Sequence, residues 1–263
     1  MKITVLCENG TVHPSLFCEH GLSLHVQREK DSLLFYKGQS DLFADNAKTL
    51  GVDLAKVDAA FLSHGHYDHG GGLARFLEIN DSAPVFLATD AFGAHYSGQE
   101  RYIGLDKTLQ SETRLVFCKD AASPLDGLSF LPLDASPSPD TFDARMLKKE
   151  GQTFLPDDFS HERYLLLEKG GKRLLLGGCA HKGILQLLDA LRPDIYIGGF
   201  HFMRVDVSAP HGRRLLEQAA YRMFSSGTLF YTGHCTGEAQ LAFLKERLGD
   251  RLQEMHTGSV IEI

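Results

Sequence analysis

The chain has 263 residues, a formal net charge of -7 and 43% hydrophobic residues. These values are typical of a globular protein with one large core or two small ones. The acidic balance excludes the basic surface on which nucleic-acid binding depends, and no apolar run approaches the roughly 20 residues that cross a bilayer.

The first ten residues, MKITVLCENG, predict a β-strand, because no long apolar segment follows the basic residue as it would in a signal peptide. The five cysteines are odd in number and none lies in a CxxC pair. These features favour a reduced, cytoplasmic protein without a membrane partner.

Short apolar runs separated by turn residues predict an antiparallel start to a sheet: KITVLC, LSLHVQ and SLLFY. The stretch SDLFADNAKTLG predicts a helix, with Ser40 or Asp41 as its N-cap and Gly51 just beyond its end. VDAAFLS predicts the next strand and GLARFLEIN a helix. PVFLA and TRLVFC predict further strands around a helix-like segment from Asp90 to Tyr96.

Residues 121–158 are rich in Pro, Ser and Asp and predict a loop-rich insertion that shapes a substrate pocket. RYLLLEKGGKRLLLGG then predicts a hairpin with Gly170 and Gly171 at its tip. The remaining stretches alternate between predicted helix and strand: KGILQLLDALR, DIYIGGF, GRRLLEQAAYRMFSSG, TLFYTG, GEAQLAFLKERLG and GSVIEI. Gly227 is predicted to end the helix in GRRLLEQAAYRMFSSG. Because both halves follow a strand, polar turn and helix plan, we expect one α/β domain over residues 1–263.

Residues 63–71, SHGHYDHGG, place three histidines and an aspartate between a predicted strand and a predicted helix. His64 and His66 are two residues apart on an extended chain, so both rings can point to one side. Asp68 and His69 follow a turn and can reach a neighbouring point. Imidazole nitrogens with a carboxylate suit zinc or another first-row divalent ion. The alternative is a solvated histidine-rich loop, against which the density of ligands argues.

Two later turns offer further ligands. LLLGGCAHKGI places Cys179 and His181 after an apolar strand and before a helix, and LFYTGHCTGE places His234 in the same way. Alone, a buried cysteine is usually a small hydrophobic residue and a turn histidine is usually solvated. If neighbouring strands end together, all three turns meet at one edge. Three turns of one design therefore favour a shared metal site.

The stretch SHGHYDHGG matches the HxHxDH signature, and the chain resembles the metallo-β-lactamase-fold superfamily. The resemblance implies a four-layer αββα sandwich. It implies two divalent metal ions, with zinc as the first choice and manganese, iron or magnesium as alternatives. The implied ligands are His64, His66, Asp68, His69, Cys179 and His234, with Cys179 where the superfamily usually has a bridging Asp. Five further stretches resemble the dihydropterin phosphate synthase-like branch of this superfamily: EHGLS, GQSDLFADNAKTLGVDL, GCAHKGI, GGFHF and TGHCTG.

The chain departs from the superfamily pattern at two places. Tyr36, in LLFYKGQ, stands where the superfamily commonly has an Asp that supports the metal loop. The usual third histidine ligand is missing from its expected context. His161, in FSHERYLLL, lies near that place, whereas His181 directly follows a strand end and is favoured for that reason.

Further residues are candidates for catalysis and substrate binding. Asp68 is predicted to hold one metal and to orient the nucleophile. His201, in IGGFHFMRVD, is predicted to bind substrate or transfer a proton, with a turn histidine bonded to the backbone as an equal alternative. Glu19 and His20 are predicted to bind substrate through the EHG match. The other histidines are predicted to be structural: His13, His25, His95, His211 and His256.

The predicted function is a hydrolase whose two metal ions activate water on a phosphorylated or pterin-like small molecule. The alternatives are a dihydropterin phosphate synthase-like condensation enzyme and a non-catalytic metal- or ligand-binding module. HxHxDH rather than HxExDH argues against a flavodiiron-type redox role. The acidic chain argues against a nuclease, so we expect a small-molecule partner and no nucleic acid. The sequence leaves open whether copies of the chain associate into a homo-oligomer.

Overall fold

The computed structural model of the protein describes residues 1–11, 13–138 and 143–263. The chain forms two compact units. The first comprises Met1–Lys119, Ala144–Arg163 and His256–Ile263, and the second comprises Asp120–Asp143 and Tyr164–Met255. Each unit combines β-sheet with helices, so the α/β class is confirmed, while the assignment of the chain to one domain stays a prediction.

The first unit contains eleven strands and three helices among the described residues. The strands are β1 Lys2–Cys7, β2 Ser23–Gln27, β3 Ser32–Phe35, β4 Ala59–Phe61, β5 Val85–Ala88, β6 His95–Ser97, β7 Arg101–Tyr102, β8 Leu115–Cys118, β10 Met146–Glu150, β11 Thr153–Pro156 and β17 Val260–Glu262. The helices are α1 Leu42–Thr49, α2 Tyr67–Gly70 and α3 Leu73–Ile79.

The main sheet of the first unit has seven strands in the order β17-β1-β2-β3-β4-β5-β8. The predicted antiparallel start is confirmed, because β1 pairs antiparallel with β2 and β2 with β3. From β3 to β8 the pairing is parallel. Phe43 and Ala47 of α1 are buried in the core beside Leu6 and Phe76. Burying each large side chain of this kind stabilises the fold by about 1.5–3 kcal/mol.

A second sheet of the first unit has four strands in the order β11-β10-β6-β7. It differs from the sequence-based expectation in two respects. The helix predicted from Asp90 to Tyr96 is wrong, since a turn there leads into β6, and His95 of that strand pairs with Lys148 of β10. The segment predicted as loops contains strands, because β10 and β11 form a hairpin there.

The second unit contains the strands β9 Leu128–Pro132, β12 Arg163–Lys169, β13 Lys172–Leu176, β14 Ile195–Ile197, β15 Leu229–Thr232 and β16 Leu252–Glu254. In this unit they form a six-stranded sheet in the order β16-β15-β14-β13-β12-β9. Its helices are α4 Ile184–Leu191, α5 Pro210–Ser226 and α6 Glu238–Leu248. The three helices and the strands β14 and β15 confirm the elements predicted after the β12–β13 hairpin, and β17 of the first unit confirms the last predicted strand.

Turn chemistry explains where several of these elements begin and end. Gly170 and Gly171 join β12 to β13 with φ angles of 59° and 77°, a left-handed pair that glycine adopts without steric cost. Gly227 ends α5 at φ 77°, as predicted. Apolar residues of α4, α5 and α6 pack with those of the sheet into one core, which includes Leu187 and Leu216.

Parallel strands place their following turns at the same edge of each sheet. In the first unit, Phe35, Phe61 and Phe86 are register partners near the ends of β3, β4 and β5. In the second unit, β13, β14 and β15 are also parallel and in register. Turns at the carboxyl ends of such strands are where α/β proteins commonly bind ligands.

Within the described parts of the chain, no helix combines the length and the apolar character that a membrane span requires.

One histidine of the first unit makes its stability depend on pH. His25 of β2 is buried, and its ring contacts the hydroxyl of Ser32 at 2.8 Å. Burial, with a smaller contribution from the charge of Lys2, lowers the pKa of His25 from 6.5 to about 4. The folded protein therefore holds this ring neutral. The free energy of unfolding therefore keeps its full value above about pH 6.5, the pKa of a histidine in the unfolded chain. It decreases as the pH falls from about 6.5 towards 4, because only the unfolded chain binds a proton at this residue.

We predict that the His25→Gln variant loses less stability on acidification than the wild type. Between pH 7.5 and 4.5 the difference in the free energy of unfolding should be on the order of 2 kcal/mol, measured by urea denaturation. His211 is exposed, so His211→Gln should keep the full wild-type dependence. An unchanged pH dependence in His25→Gln would show that this ring is not held neutral.

Candidate metal centre

The turn after β4 carries the predicted metal-binding motif. His66 is extended, at φ -98° and ψ 145°, and α2 begins directly after it with Tyr67. An extended segment followed by one helical turn presents His64, His66 and Asp68 to a common point. One ligand atom from each of these three buried residues lies within 4.8 Å of the others. The ring centroids of His64 and His69 are 4.3 Å apart, so this loop brings its predicted ligands together.

The donor set of this loop fits a divalent metal ion. Burial, followed by the neighbouring histidines, holds the pKa of His66 well below its ordinary value. A neutral imidazole is the form that binds metal. Two imidazoles and a carboxylate are ligands that zinc and other first-row divalent ions accept. The residues present are therefore compatible with the metal that the resemblance implies.

Close packing restricts the backbone of the loop. A Cβ at Gly65 would lie 1.9 Å from the carbonyl oxygen of Ala91, so only glycine fits between the two histidines. The hydroxyl of Ser63 contacts Nδ1 of His64 at 2.7 Å. These contacts fix the loop before any ligand arrives.

Tyr36 lies beside this loop, at the position where the superfamily pattern has an Asp. Its backbone has a φ of 69°, and its ring meets the ring of His69 edge-on, with 4.9 Å between centroids. The hydroxyl of Ser23 donates a hydrogen bond to the Tyr36 carbonyl oxygen at 3.0 Å. The residue thus supports the motif by packing, since an aromatic ring fills the space beside His69.

His20 contacts the motif, whereas Glu19 holds a neighbouring loop. Nε2 of His20 lies 3.4 Å from Oδ2 of Asp68, and the His20 side chain is 41% exposed. A hydrogen bond from His20 to Asp68 raises the pKa of His20. The carboxylate of Glu19 accepts hydrogen bonds from the amides of Gln39 and Ser40 and from the Ser40 hydroxyl. These contacts leave the substrate-binding role of both residues a prediction.

The structure shows a buried group that the sequence analysis missed. His66, His95, Asp157 and His161 each offer a ligand atom within 4.8 Å of the others. The sequence predicts a structural role for His95 and no role for Asp157. The spacing of an Asp four residues before a His, in DDFSH, was the signal for this pair. His95 carries no such signal, because it reaches the group only through the pairing of β6 with β10.

In the second unit, the predicted residues occupy the turns that follow three parallel strands. Cys179 and His181 follow β13, His201 follows β14 and His234 follows β15, and all four are buried. The rings of His181 and His201 lie 4.3 Å apart. The structure therefore brings these two residues together within the unit.

The backbone of these turns is strained and tightly connected. Ala180, His201 and His234 have φ angles of 52°, 53° and 47°, which non-glycine residues adopt at a cost and which occur often at functional sites. The Cys235 thiol donates to the carbonyl oxygen of Cys179 at 3.7 Å. The amide of Phe200 donates to the Thr236 hydroxyl at 3.1 Å. Hydrogen bonds thus connect the turn after β15 to the other two.

Comparison with known proteins places this geometry in a family. The profile of the metallo-beta-lactamase superfamily matches residues 31–199. The 7,8-dihydropterin-6-methyl-4-(beta-D-ribofuranosyl)-aminobenzene-5'-phosphate synthase of Methanocaldococcus jannaschii is 25% identical over 289 residues, which cover 100% of this chain and 96% of that protein.

Two solved structures extend the comparison. Tm1679, described as a metal-dependent hydrolase of the β-lactamase superfamily, is 26% identical with a TM-score of 0.83, covering 100% of this chain and 99% of that one. Zn(2+)-bound PqqB from Methylobacterium extorquens is 14% identical with a TM-score of 0.55 and full coverage of both chains, which shows a shared fold alone. The predicted fold is confirmed, and the chain belongs to the metallo-β-lactamase superfamily.

Proposed function

We propose that the protein is a metal-dependent hydrolase that acts on a phosphorylated or pterin-like small molecule at a binuclear metal centre. The observation that carries this proposal is the buried set of His64, His66 and Asp68, whose ligand atoms lie within 4.8 Å of one another. Two imidazoles and a carboxylate whose ligand atoms lie this close together form a donor set that zinc and other first-row divalent ions accept. Membership of the superfamily supports the same conclusion.

We propose that two divalent ions, zinc first, are held by the residues that the family resemblance implies. These are His64, His66, Asp68 and His69 of the first unit and Cys179, His181 and His234 of the second. Thiolate, imidazole and carboxylate together form a donor set suited to zinc. Metal ions bound there would supply Lewis-acid chemistry, by acidifying water and polarising an oxygen of the substrate.

Side chains beside the ligands would orient the reactants. Asp68 accepts a hydrogen bond from His20, and this contact directs the carboxylate. The His20 ring is partly exposed, so it can also contact an arriving substrate. His201 packs on His181 and is proposed to bind substrate or to transfer a proton. Asp68 is proposed to take the proton of the attacking water.

A second candidate function is condensation rather than hydrolysis. The similarity to the Methanocaldococcus jannaschii synthase extends over the whole chain, at 25% identity, and this observation favours a dihydropterin phosphate synthase-like enzyme. Both candidates need the same metal-binding residues. They differ in whether the nucleophile is water or a second substrate.

We predict two zinc ions per chain in protein purified without a metal-affinity tag, measured by elemental mass spectrometry. His66→Ala should lose at least one of them and remain soluble, because it removes a ligand but leaves the main sheets in place. His13 is exposed, so His13→Ala should keep the wild-type metal content. A wild-type protein that holds no zinc, manganese or iron and cannot be reloaded would favour a non-catalytic module instead.

We predict that the zinc-loaded protein hydrolyses at least one phosphomonoester, phosphodiester or pterin phosphate. Asp68→Asn should lower the rate by roughly 10²- to 10⁴-fold, the range for losing a general base, while Asp45→Asn, a change on the exposed face of α1, should not. If the zinc-loaded protein hydrolyses none of these compounds but joins a dihydropterin phosphate to a second substrate, the condensation function is correct.

A further inference from the structure

In the first unit, two buried histidines meet one buried carboxylate in a group that the proposed function does not use. Nδ1 of His95 lies 2.8 Å from Oδ2 of Asp157, and Nε2 of His161 lies 3.5 Å from the same oxygen. The other carboxylate oxygen of Asp157 accepts the amide of Phe159 at 2.8 Å. The side chains of His95, Asp157 and His161 are at most 4% exposed. We call these three residues the His–Asp–His network.

The network reaches the metal loop through His161. The Gly65 amide donates a hydrogen bond to Nδ1 of His161 at 2.9 Å. Because Nδ1 accepts, it carries no proton, and the ring proton of the neutral His161 lies on Nε2, which faces Asp157. One histidine therefore connects Asp157 to the peptide that lies between His64 and His66.

The same segment holds the loop at a second point. The Arg163 amide donates to the carbonyl oxygen of Ser63 at 2.6 Å. Residues 157–163 thus bind the backbone just before His64 and again just after it. Gly65 has no space to shift, because Ala91 closes its other side. The direction of both predicted ligands therefore depends on this segment.

His95 supports His161 from behind. The two ring centroids are 3.8 Å apart. A Cβ on Gly93 would lie 2.8 Å from Nε2 of His95, so the ring is held between Gly93 and His161. Its hydrogen bond to Asp157 fixes the ring in that plane. The three side chains consequently hold one another in a single arrangement.

We propose that the His–Asp–His network positions the metal loop, with His161 holding the Gly65 amide and Asp157 and His95 holding His161. The proposal rests on the proposed function, because the value of the positioning is to direct His64 and His66 at a metal ion. Partners that orient ligands in this way typically change metal affinity by 10- to 100-fold when they are removed.

The competing interpretation is that His66, His95, Asp157 and His161 themselves hold a metal ion. The hydrogen bonds favour positioning. Both oxygens of Asp157 already accept hydrogen bonds, and Nδ1 of His161 is occupied by the Gly65 amide. Because Nδ1 of His161 accepts the Gly65 amide, a metal ion bound to His161 would have to displace its Nε2 proton, whereas Nε2 of His95 could bind a metal without losing a proton.

Two substitutions of His161 separate the two interpretations, with zinc as the probe. Asn places its amide oxygen near the former Nδ1, so His161→Asn can still accept the Gly65 amide. Gln extends to the former Nε2, so His161→Gln can contact Asp157 but does not hold Gly65. We expect His161→Asn to keep a zinc affinity close to that of the wild type. We expect His161→Gln to bind zinc roughly 10- to 100-fold more weakly, by competition with a chelator.

Further readouts make each outcome decisive. The thermal midpoints of the two metal-free variants should match. A difference in zinc affinity between them then cannot come from a difference in packing or stability. Cobalt(II) in place of zinc should bind to His161→Gln in the wild-type number with an altered visible spectrum. If His161→Gln fails to fold, His161→Leu replaces it, with the same expected loss of affinity, because it also removes the acceptor of the Gly65 amide.

Other results would overturn the proposal. Equal zinc affinities in wild type, His161→Asn and His161→Gln would refute positioning while leaving the proposed function intact. A zinc ion beyond the first two that disappears in His95→Gln would show that the network is itself a metal site. A wild-type protein that binds no zinc would refute both the positioning and the proposed function.

Discussion

The structure depends on one constraint: a loop that buries several imidazoles binds a metal ion with a smaller entropic cost when its backbone is already fixed. Left mobile, such a loop would lose conformational entropy on binding, and its polar rings would be buried without fixed partners. The chain meets the constraint at Gly65, where Ala91 leaves no room for a side chain and where the amide is held by His161. The histidines on either side are fixed as a result.

The same principle applies to the turns of the second unit. Three positive φ angles, at Ala180, His201 and His234, fall in the turns after three adjacent parallel strands. Strain of this kind costs about 1–3 kcal/mol at each position and persists only where the surroundings enforce it. Here the enforcement comes from the register of the parallel strands and from hydrogen bonds such as that between Phe200 and Thr236. Both units therefore use the ends of parallel strands to hold candidate metal ligands.

Much of this could be predicted from the sequence. The apolar runs from KITVLC to GSVIEI predict most strands, because a buried strand leaves a short apolar signature bounded by turn residues. The motif SHGHYDHGG predicts the loop with buried metal ligands, because these residue types at this spacing serve few other purposes. Gly170 with Gly171 and Gly227 mark turns whose left-handed backbone the structure confirms.

Other features could not be predicted, because they depend on long-range pairing. The sequence predicts a helix-like segment where β6 begins, because this stretch becomes a strand only by pairing with β10, about fifty residues later. That pairing also brings the ring of His95 to within 3.8 Å of the ring of His161, a proximity that no local sequence pattern signals. Strands β10 and β11 have half-buried surfaces rather than an apolar core pattern, and their composition therefore resembles that of a loop.

We propose above all that the turn after β4 holds metal. Crystals grown with zinc and measured on both sides of the zinc absorption edge would test it most directly. The account predicts an anomalous peak within coordination distance, about 2.0–2.2 Å, of nitrogens of His64 and His66, and a second beside Asp68 and His69. Zinc-loaded crystals with no anomalous peak at these four residues would contradict it.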